Sequence, residues 1–348
     1  MPRPILATFD LSALQHNLKV VKEAAPQSKV WAVIKGNGYG HGQVRIARTL
    51  KGADGFAVLD LPSAVRLRDA GMRRPLMLLE GFFEARDITT VVDYKLTPVI
   101  HCNEQIEMLE RTPTKAPIDI YLKMNTGMNR LGFTGVRFGD AYRRIKSRVR
   151  VNNVTCMTHF ATADTEEGIA AQMKLFESGT RGIEGEKCVA NSAAILRYPS
   201  AHYQWVRAGI ALYGASPFPD QDRDALGLQP VMTLTSKIIG IQMLEAGDKI
   251  GYGGEYVAER PMRIGVVACG YADGYPRHAR TGTPVLVNGL RAGIVGRVSM
   301  DLITIDITRL PEAVVGSPVT LWGKGLPVED IAKGAGTISY ELLTGLAH

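Results

Sequence analysis

Val30-Trp31-Ala32-Val33-Ile34-Lys35-Gly36-Asn37-Gly38-Tyr39-Gly40-His41-Gly42 is the stretch from which the rest of the chain can be read. The apolar run Val30 to Ile34 reads as a buried strand. It stops on a lysine, and glycine then recurs at 36, 38, 40 and 42. Glycine there allows positive φ and close approach of the backbone to a ligand. An amphipathic stretch, 43–50, follows. Lys35 could simply trail its stem along the strand end with its ammonium in water. The glycines weaken local order without visible structural need, which favours a turn that presents one amine to a small molecule.

Outward from this stretch, short apolar runs alternate with amphipathic ones between residues 10 and 225. The expected strands are 30–35, 55–59, 76–79, 97–101, 118–124, 154–159, 187–190 and 205–207. The stretches between them read as helices, among them 64–70, 105–109 and 169–176. A first helix, 11–24, has Asp10 as its N-cap and Pro26 beyond its end, so the series begins with a helix. Eight strands alternating with helices over roughly 200 residues predict a (β/α)8 barrel, an α/β fold of the TIM type, over residues 10–228. After Pro230 the style changes to runs rich in Val, Ile and Thr at 231–241, 263–267, 283–287, 293–298, 303–307 and 318–321. Turns such as Asn288-Gly289 separate them. This predicts a mainly β domain over 229–348, to which residues 1–9 are free to attach.

Composition narrows the function. The 348 residues carry 41 Lys and Arg against 34 Asp and Glu, a net charge of +7. That charge would suit nucleic acid, but the basic residues are scattered without a long tract or aromatic interleaving, so no nucleic-acid partner is expected. It can help attract anionic ligands. No run approaches a membrane span, so no membrane partner is expected. The N-terminus lacks an apolar signal core, and a cytoplasmic protein is expected. The four cysteines show no Cys-x-x-Cys spacing, which disfavours zinc and disulfides.

Barrel active sites lie at the C-terminal strand ends, and there the unusual polar residues collect. Lys35 ends strand one; Lys123, Asn125 and Arg130 follow strand five; His159 ends strand six. Asn191 and Ser192 follow strand seven, and Arg207, Gly209 and Ile210 sit at strand eight. The last two loops are a known phosphate position in such barrels. Ser192 alone could be a plain N-cap, and Gly209 a packing glycine. Opposite a strand-one lysine, together they favour a phosphate. A lysine and a phosphate cradle in one barrel mouth suggest a Schiff-base cofactor, pyridoxal phosphate, although lysine aldolases share both features.

The first stretch resembles the alanine racemase pattern A-V-x-K-A-N-A-Y-G-H-G, with glycine at both small alanine positions. Leu122 to Phe133 resembles K-x-D-T-G-M-x-R-L-G-F, and Thr158-His159-Phe160-Ala161-Thr162-Ala163-Asp164 matches T-H-F-A-x-A-D. Similar segments recur at 190–192, 207–214, 251–253, 270–274, 295–301 and 337–341. The resemblance covers nearly the whole chain.

It implies a pyridoxal 5′-phosphate enzyme that interconverts L- and D-alanine, supplying D-alanine for peptidoglycan or catabolising alanine. Lys35 would hold the cofactor as an imine and serve as one base. Tyr252, from the partner subunit of a homodimer with shared active sites, would be the other. Tyr39, Ser192, Gly209, Ile210 and Tyr340 would contact the phosphate. Arg207 would face the pyridine nitrogen, supported by His159. Arg130 would contact the cofactor phenolate oxygen and the substrate carboxylate, which the partner's Met300 backbone would also meet, and Tyr271 would narrow the entrance. Lys123 would be carbamylated, since an unmodified ammonium beside Arg130 is unfavourable. Taken without the resemblance, Tyr252 reads as a β-turn aromatic, Arg207 as a salt-bridged barrel arginine, His159 as a core histidine and Lys123 as a lysine paired with a carboxylate. The chain departs from the pattern at Asn125, where aspartate is common, and at Gly251, where serine often precedes the tyrosine. Relatives commonly carry a basic tail beyond the position of His348.

Other readings compete. One is a protein that only binds pyridoxal phosphate; such relatives are usually a barrel alone, so the second domain argues against it. A fold-related amino-acid decarboxylase would need an acidic and cysteine signature absent from the β domain. A broad-specificity or serine racemase is nearer.

Overall fold

The structure, a computed structural model, describes residues 3–346. Residues 1–2 and 347–348, which the expected domain limits include, lie outside the described residues. Eight parallel strands close a barrel: Lys29–Val33, Gly55–Val58, Leu76–Leu78, Leu96–Ile100, Ile118–Lys123, Val151–Met157, Lys187–Cys188 and Trp205–Ala208. The last strand pairs with the first, Trp31 opposite Arg207. All eight overlap predicted runs, because buried parallel strands are largely apolar on both faces. The sixth begins at Val151 rather than 154, its exposed Asn152 and Asn153 hiding that start from the apolar pattern, and ends at Met157, before His159. The first ends at Val33 rather than Lys35, since the backbone from Gly36 onward enters the left-handed region. Helix Leu11–Ala24 precedes the barrel, and the Asp10 carboxylate accepts from the Ser12 and Ala13 amides at 2.9 and 3.0 Å.

The end of the barrel away from the lysine turn is filled by aromatic rings. Trp31 stacks on Trp205 at 4.6 Å and donates its indole N–H to the Tyr121 hydroxyl at 2.8 Å. Gly55 leaves the space that the Trp31 ring fills.

The second unit is a seven-stranded antiparallel sheet. Its long strand, Met232–Leu244, pairs through its first four residues with Leu6–Phe9, so the N-terminal segment joins this sheet. The run expected at 293–298 forms a strand at Leu290–Ile294 instead. Val287 pairs with Leu290 across Asn288 (φ 51°) and Gly289 (φ 82°), a two-residue turn that pulls the returning strand forward. Two helices close the chain, Val328–Ala335 and Ser339–Thr344, where the sequence reading expected strands and turns alone. The second of them packs against the lysine turn: a Cβ on Gly40 would stand 2.0 Å from the Leu343 carbonyl oxygen. That close approach carries Tyr340 to the barrel mouth.

The connection between the two units is tied to the barrel by a satisfied buried amide. Asn17, fully buried, donates to the Leu212 and Gln229 carbonyls at 3.0 and 2.8 Å and accepts from the Gln229 amide at 2.8 Å. Between Tyr213 and Met232 lies a connecting stretch with one short 3₁₀ turn, Asp224–Leu226. The expected division at 228/229 falls in it, and we retain it as a proposal.

Two glycines of this connection make a matched test. Gly214 and Gly227 both have positive φ, but a Cβ on Gly214 would lie 1.7 Å from the Gln229 carbonyl oxygen, whereas Gly227 faces open space. Gly227→Ala is expected to cost about 1–2 kcal/mol from backbone strain alone. Gly214→Ala is expected to cost more than about 4 kcal/mol. Urea unfolding of the two variants measures the difference.

Candidate active site

The lysine turn is a short left-handed coil. Gly36, Asn37, Gly38, Tyr39 and Gly40 have φ of 59°, 53°, 65°, 51° and 78°. For Asn37 and Tyr39 this costs roughly 1–2 kcal/mol each. Hydrogen bonds repay it: Gly38 N–H to the Ile34 carbonyl at 2.9 Å, and the Gln43 amide to Asn37 Oδ1 at 3.0 Å. The Gln43 side chain adds a bond to the Ile34 carbonyl at 3.1 Å. The coil turns the chain abruptly at the strand end and leaves Lys35 at the barrel mouth.

A cavity of about 880 Å³ opens there. Lys35, Lys123, Arg130 and Arg207 all line it, with His159 between them. Burial, with Arg130 and Arg207 nearby, lowers the pKa of the Lys35 amine, and Glu80 partly opposes them. Lys123 is pushed down to about 8 by burial and by Arg207, Arg130 and Lys35. Both amines are therefore shifted toward their neutral, nucleophilic form.

Arg207 is 3% exposed and pinned from two sides. One terminal nitrogen donates to the Cys188 carbonyl at 2.7 Å and contacts its thiol at 3.1 Å. The other donates to the Thr158 and Val189 carbonyls at 2.7 and 3.1 Å and faces His159 Nδ1 at 3.4 Å. These partners are carbonyls, a thiol and an imidazole, so the salt-bridged reading of Arg207 does not hold. Burial and Arg207 drive the His159 pKa well below the usual value, so its ring is neutral and its Nδ1 can accept from the guanidinium.

Opposite Lys35 the polar groups form a cradle. Asn191, not Ser192, caps helix Ser192–Arg197 by accepting from the Ala194 amide at 3.0 Å. Ser192 Oγ instead accepts from the Gly209 and Ala211 amides at 2.8 and 3.5 Å. A Cβ on Gly209 would lie 2.7 Å from the Tyr39 hydroxyl and 3.8 Å from Ser192 Oγ. Glycine is required for these two hydroxyls to converge. Tyr340 joins from the C-terminal helix, its ring 6.1 Å from that of Tyr39, and Ile210 completes the wall. Three hydroxyls beside four cationic side chains fit an anionic phosphate ester. A lysine with a lowered pKa in the same cavity fits an aldehyde, and pyridoxal phosphate carries both groups.

Arg130 hangs from a loop that Asn125 braces by accepting from the Gly127 and Asn129 amides at 3.1 and 3.0 Å. The asparagine thus fixes the loop by hydrogen bonding. Two lining residues escaped the sequence reading, Glu80 and His101, which lie at the ends of strands three and four. His101 Nε2 lies 3.1 Å from the Glu80 carbonyl oxygen, and Gln105 donates to that carbonyl at 3.0 Å. Extending the rim argument to those strand ends would have found both.

Three expected site residues lie elsewhere. Tyr252, Tyr271 and Met300 are absent from the cavity wall and are 73%, 38% and 58% exposed on the β unit. Tyr271 and Met300 sit on two loops joined by Tyr271 N–H to the Ser299 carbonyl at 3.1 Å and Ala272 N–H to the Met300 carbonyl at 2.8 Å. Arg3 ties these loops, bonding both Asp273 oxygens at 2.7 and 3.0 Å and the Asp301 carbonyl at 2.7 Å. Tyr252 lies in the turn Tyr252–Gly254, whose Gly253 approaches the Arg297 guanidinium.

Comparison with known proteins covers the chain end to end. The family model for the alanine racemase N-terminal domain matches residues 9–217, and that for the alanine racemase C-terminal domain matches 231–348. The chain is 54% identical to an alanine racemase of Polaromonas naphthalenivorans, over 100% of this chain and 98% of the relative. It is 52% identical to one of Cupriavidus necator, over 100% and 94%. Among solved structures, the biosynthetic alanine racemase of Pseudomonas aeruginosa superimposes with a TM-score of 0.97 at 43% identity, covering 99% of this chain and 97% of that one. The alanine racemase of Acinetobacter baumannii follows at 0.93 and 36%, covering 99% and 98%.

Gly209→Ala tests the cradle. The added methyl must displace the Tyr39 hydroxyl, whose ring is stacked on Tyr213 at 4.5 Å and cannot swing freely. A stability loss of about 1–3 kcal/mol is expected in urea unfolding, together with weaker binding of inorganic phosphate by calorimetry.

Proposed function

The chain belongs to the alanine racemase family and is an isomerase; on that premise, we propose that it interconverts L- and D-alanine with pyridoxal 5′-phosphate in an active site shared between two subunits. The observation that carries this reading is the meeting, in one cavity, of Lys35, an arginine without a carboxylate partner and the hydroxyls of Tyr39 and Ser192.

When bound, pyridoxal phosphate supplies an electron sink for the pair left behind as the α-proton departs. Tyr39, Ser192, Tyr340 and the backbone around Gly209 and Ile210 hold its phosphate. Arg207 would face the ring nitrogen. A guanidinium there would keep that nitrogen unprotonated, which would limit the sink and disfavour leakage into transamination. The hydrogen bond to neutral His159 and the four backbone and thiol contacts keep Arg207 from swinging away. Arg130 holds the cofactor phenolate oxygen and the substrate carboxylate. The Lys35 amine, shifted toward its neutral form, takes or returns the α-proton on one face. Inversion needs a second acid and base on the other face, and Tyr252 of the partner subunit supplies it. Met300 of the partner subunit meets the carboxylate through its backbone, and Tyr271 of the partner subunit narrows the entrance. Exposure of all three on one unit of the chain supports a homodimer that covers them. Among the described residues no helix is long and apolar enough to cross a membrane. We assign the enzyme to the cytoplasm, supplying D-alanine for peptidoglycan or catabolising alanine.

Lys123 completes the charge arrangement. Carbon dioxide adds to a neutral amine with loss of one N–H proton to solvent, and the resulting carbamate would be an anion that steadies Arg130 and removes one of four cations. The neutral fraction grows as pH rises through about 8, because the pKa is lowered to that value. Carbamylation, read by NMR with isotope-labelled bicarbonate, should therefore increase from below to above that pH and disappear in Lys123→Ala.

The function is tested by incubating the cofactor-loaded protein with L-alanine and following D-alanine by chiral chromatography, with L-serine and L-lysine in parallel. Alanine should be converted fastest; no conversion of any would leave a protein that only binds the cofactor. Tyr252→Phe should lower racemisation by about 10²–10⁴-fold and slow α-proton exchange into heavy water from one enantiomer far more than the other. Equal rates from both would remove Tyr252 from the mechanism.

A further inference from the structure

His41 lies in the lysine motif, fully buried, and none of the roles above uses it. Its Nδ1 lies 2.6 Å from the carbonyl oxygen of Tyr39. A carbonyl can only accept, so Nδ1 carries the hydrogen and donates it. Burial pushes the imidazole down to about 4, so the ring is neutral at working pH. Nε2 has no partner among the described residues. It is then a bare acceptor, which costs less than an orphaned N–H.

The ring is also wedged. It lies 4.7 Å from Tyr213 and 5.3 Å from Phe9. Tyr213 is itself fixed by its hydroxyl, which donates to the Val33 carbonyl at 3.0 Å, and it stacks on Tyr39 at 4.5 Å with 22° between the planes. The three rings form a contiguous cluster, His41 tilted on Tyr213 and Tyr213 stacked on Tyr39, and Tyr39 at its outer end points its hydroxyl at Gly209 and Ser192. Tyr39 is the bulkiest residue held in the left-handed coil, at φ 51°. A strained backbone persists only where its surroundings over-determine it. The imidazole N–H holds the Tyr39 carbonyl from behind while the Tyr213 ring holds the side chain.

We infer that His41 is a positioning residue for the cofactor phosphate: a buried imidazole that locks the left-handed Tyr39 backbone and so aims the Tyr39 hydroxyl into the cradle. The inference rests on the reading of Tyr39 as a phosphate contact. It places a residue outside the cavity wall in control of how tightly the phosphate is held, and it explains why the motif's turn ends on a histidine rather than on another small residue.

The test is the apparent Kd of the purified apoprotein for pyridoxal 5′-phosphate, with inorganic phosphate as a second probe. His41→Ala should weaken both by roughly tenfold, about the worth of the hydrogen bond from the Tyr39 hydroxyl to a charged phosphate that it would misalign. His41→Asn, whose amide N–H occupies nearly the place of the Nδ1–H, should recover most of the affinity. Tyr39→Phe should weaken binding alone, and His41→Ala should add little in the Tyr39→Phe background, because both act through one hydroxyl. Unchanged affinity in His41→Ala, equal losses in His41→Ala and His41→Asn, or fully additive losses with Tyr39→Phe would each overturn the role of His41 while leaving Tyr39 in place. Unchanged affinity in Tyr39→Phe would instead remove the phosphate role of Tyr39, and the inference with it.

Discussion

Four cationic side chains, Lys35, Lys123, Arg130 and Arg207, share one cavity at the barrel mouth, and the rest of the site answers that concentration of charge. Gathering like charges in a partly desolvated space is unfavourable, since each raises the cost of the next. The protein lowers that cost in three ways. It shifts the two lysines toward neutrality. It surrounds Arg207 with carbonyl oxygens, which solvate the guanidinium without cancelling it. It keeps His159 neutral, so the imidazole accepts rather than adds a charge. In the proposed reading an anionic cofactor would relieve what is left, which would tie affinity for its phosphate to the same electrostatics that would ready Lys35 for proton transfer.

The second constraint is geometric. A strand-end lysine can be aimed only if the chain turns away at once, and the left-handed coil at 36–40 does this at a backbone cost. The C-terminal helix, the Gln43 side chain and the ring stack behind Tyr39 all brace that coil. The long strand of the sheet, Met232–Leu244, also pairs with the N-terminal segment, whose Arg3 ties the loops of Tyr271 and Met300. One unit thus presents an aimed lysine, and the other presents exposed Tyr252 in its own turn, with Tyr271 and Met300 on loops that Arg3 braces. In the proposed dimer each supplies what its partner's site lacks.

The barrel was legible because most of its eight strands, buried on both faces, leave short apolar runs, and the site rim followed from where those runs end. The lysine and its glycines pointed to a turn, but left-handed Asn37 and Tyr39 were not legible, since non-glycine residues adopt that conformation here only under tertiary restraint. Ser192 was ambiguous because serine and asparagine are both good caps, and only the coordinates show Asn191 capping and Ser192 turned to Gly209. The closing helices were missed because helices of eight and six residues carry too few turns to show a period against a β background. Tyr252 has no mark of function in its own spacing; its assignment came from resemblance alone, and its exposure gives that assignment a physical sense.

The central claim is that one active site draws Lys35 from one subunit and Tyr252 from the other. Subunit complementation tests it most directly. Lys35→Ala and Tyr252→Ala chains, each inactive alone, would be co-expressed and racemisation measured on the mixed population. If sites are shared, one of the two sites in each mixed dimer regains both native groups, and random pairing restores about a quarter of wild-type activity. A mixture as inactive as its parents, with mixed dimers shown to form, would contradict the account.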